Sequence, residues 1–118
     1  VDLNMKANNF IYKICTINEW KKALSLGTFI GTEKDLKDKY IHFSTKNQLL
    51  KTLSLHFKHK ENLCLLKLSS KKLNIKWELS RKNQLFPHLY DKFNVNHVLT
   101  VYALQHNADG NFILPSLE

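Results

Sequence analysis

The chain has 118 residues, with eighteen Lys and Arg against ten Asp and Glu for a net charge of +8, and 43% of its residues are hydrophobic. This length supports one core and excludes two, and the balance of apolar and charged residues excludes wholesale disorder. No stretch reaches the roughly 20 apolar residues of a membrane helix, and the polar start does not read as a signal peptide, so a single cytoplasmic domain over residues 10–115 is expected after a tail over residues 1–9.

Taken in chain order, Phe10 to Cys15 is aromatic and β-branched and predicts a strand. Thr16-Ile17-Asn18-Glu19 matches a capping box, and Ile17, Trp20, Ala23 and Leu24 recur at helical spacing up to a stop at Gly27. Thr28 to Lys39 is polar with alternating charges and predicts a loop over one edge. Tyr40 to Phe43 predicts a second strand. Thr45 to Gln48 repeats the capping pattern ahead of a helix with Leu49, Leu50, Leu53 and Phe57 on one face. Leu63 to Leu68 is a continuous apolar run, as a central strand requires. Ile75 to Leu79 predicts a short strand, Arg81 to Asp91 an irregular connector, and Val98 to Leu104 a strong strand. Asp109-Gly110 signals a hairpin turn into a last strand at Phe112 to Leu114. Strands outnumber helices, and both helices fall in the first half, which predicts an α+β domain with small mixed or antiparallel sheets.

Seventeen of the eighteen cations are lysines, and Arg81 is the remaining one. Arginine is the residue that forks onto phosphate and guanine, so its scarcity argues against nucleic acid as the partner. A basic strip of Lys71, Lys72, Lys76 and Arg81 is what an RNA-facing alternative would use. Cys15 and Cys64 lie inside predicted strands and are expected to be buried free thiols. His56 and His59 lack an acidic or cysteine partner at ligand spacing, so no metal site is expected.

Three places concentrate polar chemistry. His42 and Ser44 alternate with Ile41 and Phe43, so one face of that strand reads as core and the other carries an imidazole and a hydroxyl, with Thr45 at a helix start just beyond. Glu78 follows Trp77 in an apolar strand, where a carboxylate needs a partner or an outward face. Phe86-Pro87-His88-Leu89-Tyr90 is too aromatic for an ordinary solvent loop, and it offers His88 and Tyr90 to a pocket. Glu33, Asp35 and Asp38 read as solvated loop carboxylates. The expectation is that the His42 and His88 segments converge on one concavity beside Trp77 and Glu78.

Ile11-Tyr12-Lys13-Ile14 with Trp20, Tyr40-Ile41-His42-Phe43-Ser44-Thr45, Trp77-Glu78, Leu85-Phe86-Pro87-His88-Leu89-Tyr90 and Asp109 to Pro115, in this order, resemble the bacterial domain-of-unknown-function 952 family. The resemblance covers nearly the whole chain. It implies an ADP-ribosyltransferase-like fold, as in RNA 2′-phosphotransferases, with NAD or an ADP-ribosyl group as substrate in a cleft between two small sheets. It implies ribose contact from the first strand, where Tyr12-Lys13 replaces the usual Tyr-His. A lysine there could meet a pyrophosphate but cannot accept a hydrogen bond. It also implies roles for Ser44 and Thr45 at the strand end and for a glutamate beside the ribose, for which Glu78 is the candidate. On this reading His42 and Glu78 are catalytic, and Lys13, Ser44, Thr45, Trp77, His88 and Tyr90 bind the ligand. A non-catalytic module that keeps the cleft for a ligand or partner is the alternative, favoured by the lysine at position 13.

Overall fold

In the computed structural model, residues 9–117 are described. Residues 1–8 of the expected tail lie outside the described residues, whereas the Asn9 carbonyl accepts a bond from Ser70 N at 2.8 Å. Strand β1 (Phe10–Thr16) passes into helix α1 (Ile17–Leu26), then β2 (Thr28–Phe29), helix α2 (Glu33–Asp38) and β3 (Ile41–His42). A single turn of 3-10 helix leads into α3 (Leu49–His56), followed by β4 (Leu63–Ser69), β5 (Lys76–Ser80) and β6 (Gln84–Leu89). Three residues carry the chain to β7 (Phe93–Asn94), β8 (Val98–Ala103) comes next, and the hairpin of β9 (Gln105–His106) and β10 (Phe112–Ile113) follows. The fold is therefore α+β, with several small antiparallel sheets and few helices.

Two three-stranded sheets dominate, in the orders β1-β4-β8 and β3-β6-β5, all antiparallel. In the first sheet β4 is central, as its unbroken apolar run predicts. Both its faces are covered. Cys64, Leu66 and Leu68 join Ile11, Cys15, Phe29, Ile41, Phe43, Leu89 and Phe93 in one core. Leu63 and Leu65 join Tyr12, Ile14, Leu49 and Leu53 in another, beneath α3. The two sheets meet where Tyr12 and Ser44 exchange backbone bonds of 2.9 Å in each direction.

The local signals at α1 are realised. Glu19 N donates to Thr16 Oγ1 at 3.0 Å, Thr16 N donates to Glu19 Oε1 at 2.7 Å, and Gly27 closes the helix at a φ of 79°. Cys15 and Cys64 face each other across β1 and β4 as buried free thiols, Sγ to Sγ 3.5 Å. The bond to Cys64 and burial both push the Cys15 thiol upward.

Three expectations are corrected. Thr28 to Lys39 is not a loop: it holds β2 and an additional helix, α2, capped by Thr32 and Asp35. Asp35 is not solvated but buried, with 2% of its surface exposed. Arg81 to Asp91 is not an irregular connector, since β6 is the central strand of the second sheet. Pro87 is tolerated there because the N and carbonyl of one residue point to the same side of a strand. Its carbonyl accepts from Phe43 N at 3.0 Å, so the missing N–H faces the end of short β3 and costs the β5–β6 pairing nothing.

Candidate functional site

The α2 cap builds the first half of the site. Asp35 N donates to Thr32 Oγ1 at 3.2 Å, and Thr32 N donates back to Asp35 Oδ2 at 2.9 Å. This fixes the carboxylate inward. Gly31, at a φ of 122°, lets Asp35 pack there, since a Cβ at that position would meet the Asp35 Cβ at 2.9 Å. Lys13 alternates with Ile11 and Cys15 on the inner face of β1, so its charge enters the core and must be paired. Its Nζ lies 2.7 Å from Asp35 Oδ2 and 2.9 Å from Oδ1, and it donates to the His42 carbonyl at 2.9 Å. His42 N donates to Asp35 Oδ1 at 3.1 Å, and His42 Nδ1 lies 2.6 Å from the same oxygen. Burial opposes ionisation of Asp35, but the His42 bond, the Lys13 charge and bond, and the Thr32 N–H together hold its carboxyl well below the usual range. His42 Nε2 is 3.0 Å from Asp38 Oδ2, so both ring nitrogens face carboxylates.

The second half lies across β3 and β6. His42 is directly opposite His88, so the two rings share a face, their centroids 5.8 Å apart. His88 Nδ1 is 2.8 Å from Glu78 Oε1, and Tyr90 OH donates to that same oxygen at 2.7 Å. The Tyr40 ring sits among them, with centroids 4.4 Å from His42, 4.2 Å from His88 and 5.2 Å from Tyr90. The strand register brings the two histidine segments together beside Glu78, but Trp77 packs against the core and neither imidazole lines a hollow, so the expected common concavity beside Trp77 is not what forms. The Tyr90 hydroxyl, then His88, hold the Glu78 carboxyl below its usual value. Burial lowers His88 more than Glu78 raises it, so the imidazole is held below its ordinary value. The bond to Glu78 pushes the Tyr90 phenol up to about 12.

That coupling gives a direct measurement. In Glu78→Gln the Tyr90 phenol is expected to ionise near the ordinary ~10, read as tyrosinate absorbance against pH with Tyr90→Phe identifying the signal. A titration identical to that of the unmodified chain refutes the contact.

The remaining predicted residues lie outside the cluster of rings around Tyr40. Trp77 alternates with Glu78 and packs against the core, on the opposite face. Lys13 is buried beneath the site, with 4% exposed. Ser44 Oγ is 3.3 Å from Thr52 Oγ1, and Thr45 N donates to Gln48 Oε1 at 3.0 Å. Lys76 and Arg81 stand at opposite ends of β5, Lys76 Nζ being 5.7 Å from the Tyr90 ring centroid. Asp35, Asp38 and Tyr40 were not singled out from sequence. The signal for Asp35 was Thr32-Glu33-Lys34-Asp35, a capping box closed by Asp instead of Glu.

A hollow of about 230 Å³ opens beside the cluster, lined by Ile30, Asp35, Leu36, Tyr40, Leu89 and Tyr90 among others. A larger depression of about 460 Å³, between the start of α3 and Leu114 to Leu117, contains none of the predicted residues. Among the described residues no group of three or more His, Cys, Asp and Glu side chains is placed to hold a metal ion. No described helix is long and apolar enough to cross a membrane.

The crystal structure of protein CC0527 from Caulobacter crescentus is similar to this chain, with a TM-score of 0.85 and 38% identity over 88% of this chain and 93% of that one. The solution structure of CC0527 matches with a TM-score of 0.79 and 38% identity, covering 87% of this chain and 90% of that one. No curated protein matches. The family described as "Protein of unknown function (DUF952)" matches residues 14–101, a stretch that holds every predicted site residue except Lys13. The chain therefore belongs to the DUF952 family.

Proposed function

We propose that this domain has an ADP-ribosyltransferase-like fold and binds a nucleotide-type small molecule, of the NAD or ADP-ribose class, over the face that carries His42, Glu78, His88 and Tyr90. The observation that supports this is the convergence of two imidazoles, a second phenol and a half-exposed carboxylate around Tyr40. Both internal bonds to Glu78 end on Oε1, so among the described residues Oε2 has no donor. An oriented carboxylate oxygen of this kind suits paired ribose hydroxyls, and Tyr40 and Tyr90 offer aromatic surface to a base. The hollow of about 230 Å³ suits one ribosyl-sized or nicotinamide-sized group, with the rest of the ligand lying along the open face.

Binding without turnover is the form the geometry favours. Lys13 is buried against Asp35, and both nitrogens of His42 are engaged by carboxylates. The catalytic form rests on Glu78 alone. Its free oxygen would stabilise positive charge at C1′ while water displaces nicotinamide, giving ADP-ribose, nicotinamide and a proton.

Thermal unfolding with NAD, ADP-ribose, nicotinamide and a short RNA tests both forms. A ligand present at 100 times its Kd adds about 2.7 kcal/mol of stability. NAD or ADP-ribose is expected to raise the midpoint, and Tyr90→Ala to reduce that rise. No response to any nucleotide overturns the proposal. Nicotinamide release by the unmodified chain, abolished in Glu78→Gln, would establish the catalytic form.

A further inference from the structure

Arg81 is the chain's one arginine, and its surroundings differ from those of the lysines. It sits at the turn between β5 and β6, half-buried, with its guanidinium carbon 4.9 Å from the Phe86 ring centroid. Its Nη1 donates to Thr52 Oγ1 at 3.2 Å, and that hydroxyl is 3.3 Å from Ser44 Oγ. Among the described residues Arg81 has no ion pair with a carboxylate. A guanidinium carries five N–H donors, and one of them is used here. Buried Lys13 has Asp35 as its counter-charge, whereas Arg81, held in place by a stack and a hydrogen bond, has none.

A second observation points the same way. His56 lies one turn beyond Thr52 on α3, and its imidazole is held below its ordinary value by burial and then by the charges of Lys34, Arg81 and His42. The Arg81 charge thus reaches His56 beside the Thr52 hydroxyl, whereas Lys34 and His42 are paired with carboxylates. The corner also belongs to the face of the proposed site. Phe86, His88 and Tyr90 alternate along β6 on one side, and Glu78 is directly opposite Phe86. From Tyr90 to Phe86 the strand advances roughly 13 Å, a span that a nucleoside with one or two phosphates can cover.

We infer that Arg81, with the Thr52 hydroxyl that buried Ser44 holds in place, forms a phosphate subsite, and that the ligand class is a phosphorylated nucleoside instead of a free nucleoside or nicotinamide. The planar fork of arginine matches two phosphate oxygens at once. The inference rests on the ligand reading above for the nucleoside part, while the anion corner stands on its own contacts.

A single arginine gives a single side-chain Nε–H resonance, so nitrogen-15 spectra of the full chain report on this residue without ambiguity. Inorganic pyrophosphate and ADP-ribose are each expected to move that signal saturably, and adenosine to leave it in place. Arg81→Gln is expected to weaken both phosphate ligands ~10-fold or more. Thr52→Val, which keeps the guanidinium, provides a milder variant with a smaller loss in the same direction. ADP-ribose binding more tightly than pyrophosphate supports the nucleotide as the source of the phosphate. Equal binding of the two, or tighter binding of a short RNA, overturns the assigned ligand class. An Arg81 signal that no phosphate moves, or equal pyrophosphate affinity in Arg81→Gln, overturns the subsite, and adenosine binding at Tyr90 in that case leaves the ligand reading intact. Pyrophosphate binding at Arg81 with no nucleotide response at Tyr90 supports the subsite and removes the ligand reading.

Discussion

Asp35→Ala is expected to lower the unfolding free energy by about 3–5 kcal/mol, measured by urea denaturation at pH 7. The substitution strands the Lys13 ammonium, whose surface is 4% exposed, without its counter-charge. It also removes the acceptor of the Thr32 and His42 backbone N–H groups, so α2 and β3 lose their shared anchor. A loss below about 1 kcal/mol would show that the pair is not buried in solution. The double variant Lys13→Met with Asp35→Leu separates charge from packing. It removes both ions together and is expected to recover much of the loss, because the penalty of a lone buried charge disappears. Asp35 also sets an acid limb. Its folded carboxyl ionises well below the ordinary 3.8 of the unfolded chain. The stabilisation is therefore complete above the pH at which the unfolded carboxyl titrates, and it decays as pH falls below that value. The Asp35→Ala chain should lack this limb.

Phe43→Ala is expected to cost about 3–5 kcal/mol on the same measurement. Phe43 is buried with 2% exposed, and its ring centroid is 6.0 Å from that of Phe93. It directly follows a strand of two residues, and its N donates to the Pro87 carbonyl at 3.0 Å. Truncation opens a cavity beneath that backbone. The His42–His88 register should loosen, seen as faster amide exchange at positions 42 and 44. A cost below about 1.5 kcal/mol would mean that the core closes over the gap.

Much of this could be read from residue order alone. The capping box at Thr16, the central run Leu63 to Leu68 and the alternation Ile41-His42-Phe43-Ser44 are local patterns with local causes; the first two became the elements they predict, and the third became a shorter strand, Ile41–His42. The meeting of His42 and His88 was anticipated, although the strand that aligns them was not. Pro87 argues against a central strand unless one knows that its N faces the end of a neighbour, which is a fact of pairing and not of sequence. Asp35 was read as solvated because it lies among lysines. The lysine that buries it, Lys13, is 22 positions away and on another element. Tyr40 was read as a strand start, and its place among the rings of His42, His88 and Tyr90 follows from long-range packing. Long-range electrostatic pairing was thus the hidden part, while local helix and strand signals were visible.

The Tyr12–Ser44 exchange has a mechanical consequence. It is a backbone hydrogen-bonded bridge between the two main sheets, and it lies two positions from His42 and one from Lys13. The bridge, the Lys13 bond to the His42 carbonyl and the core that Ile11, Leu66 and Leu68 share with Ile41, Phe43 and Leu89 tie the sheets together beside the imidazole pair. The polar cluster is thus seated at the seam of the domain and not on its rim.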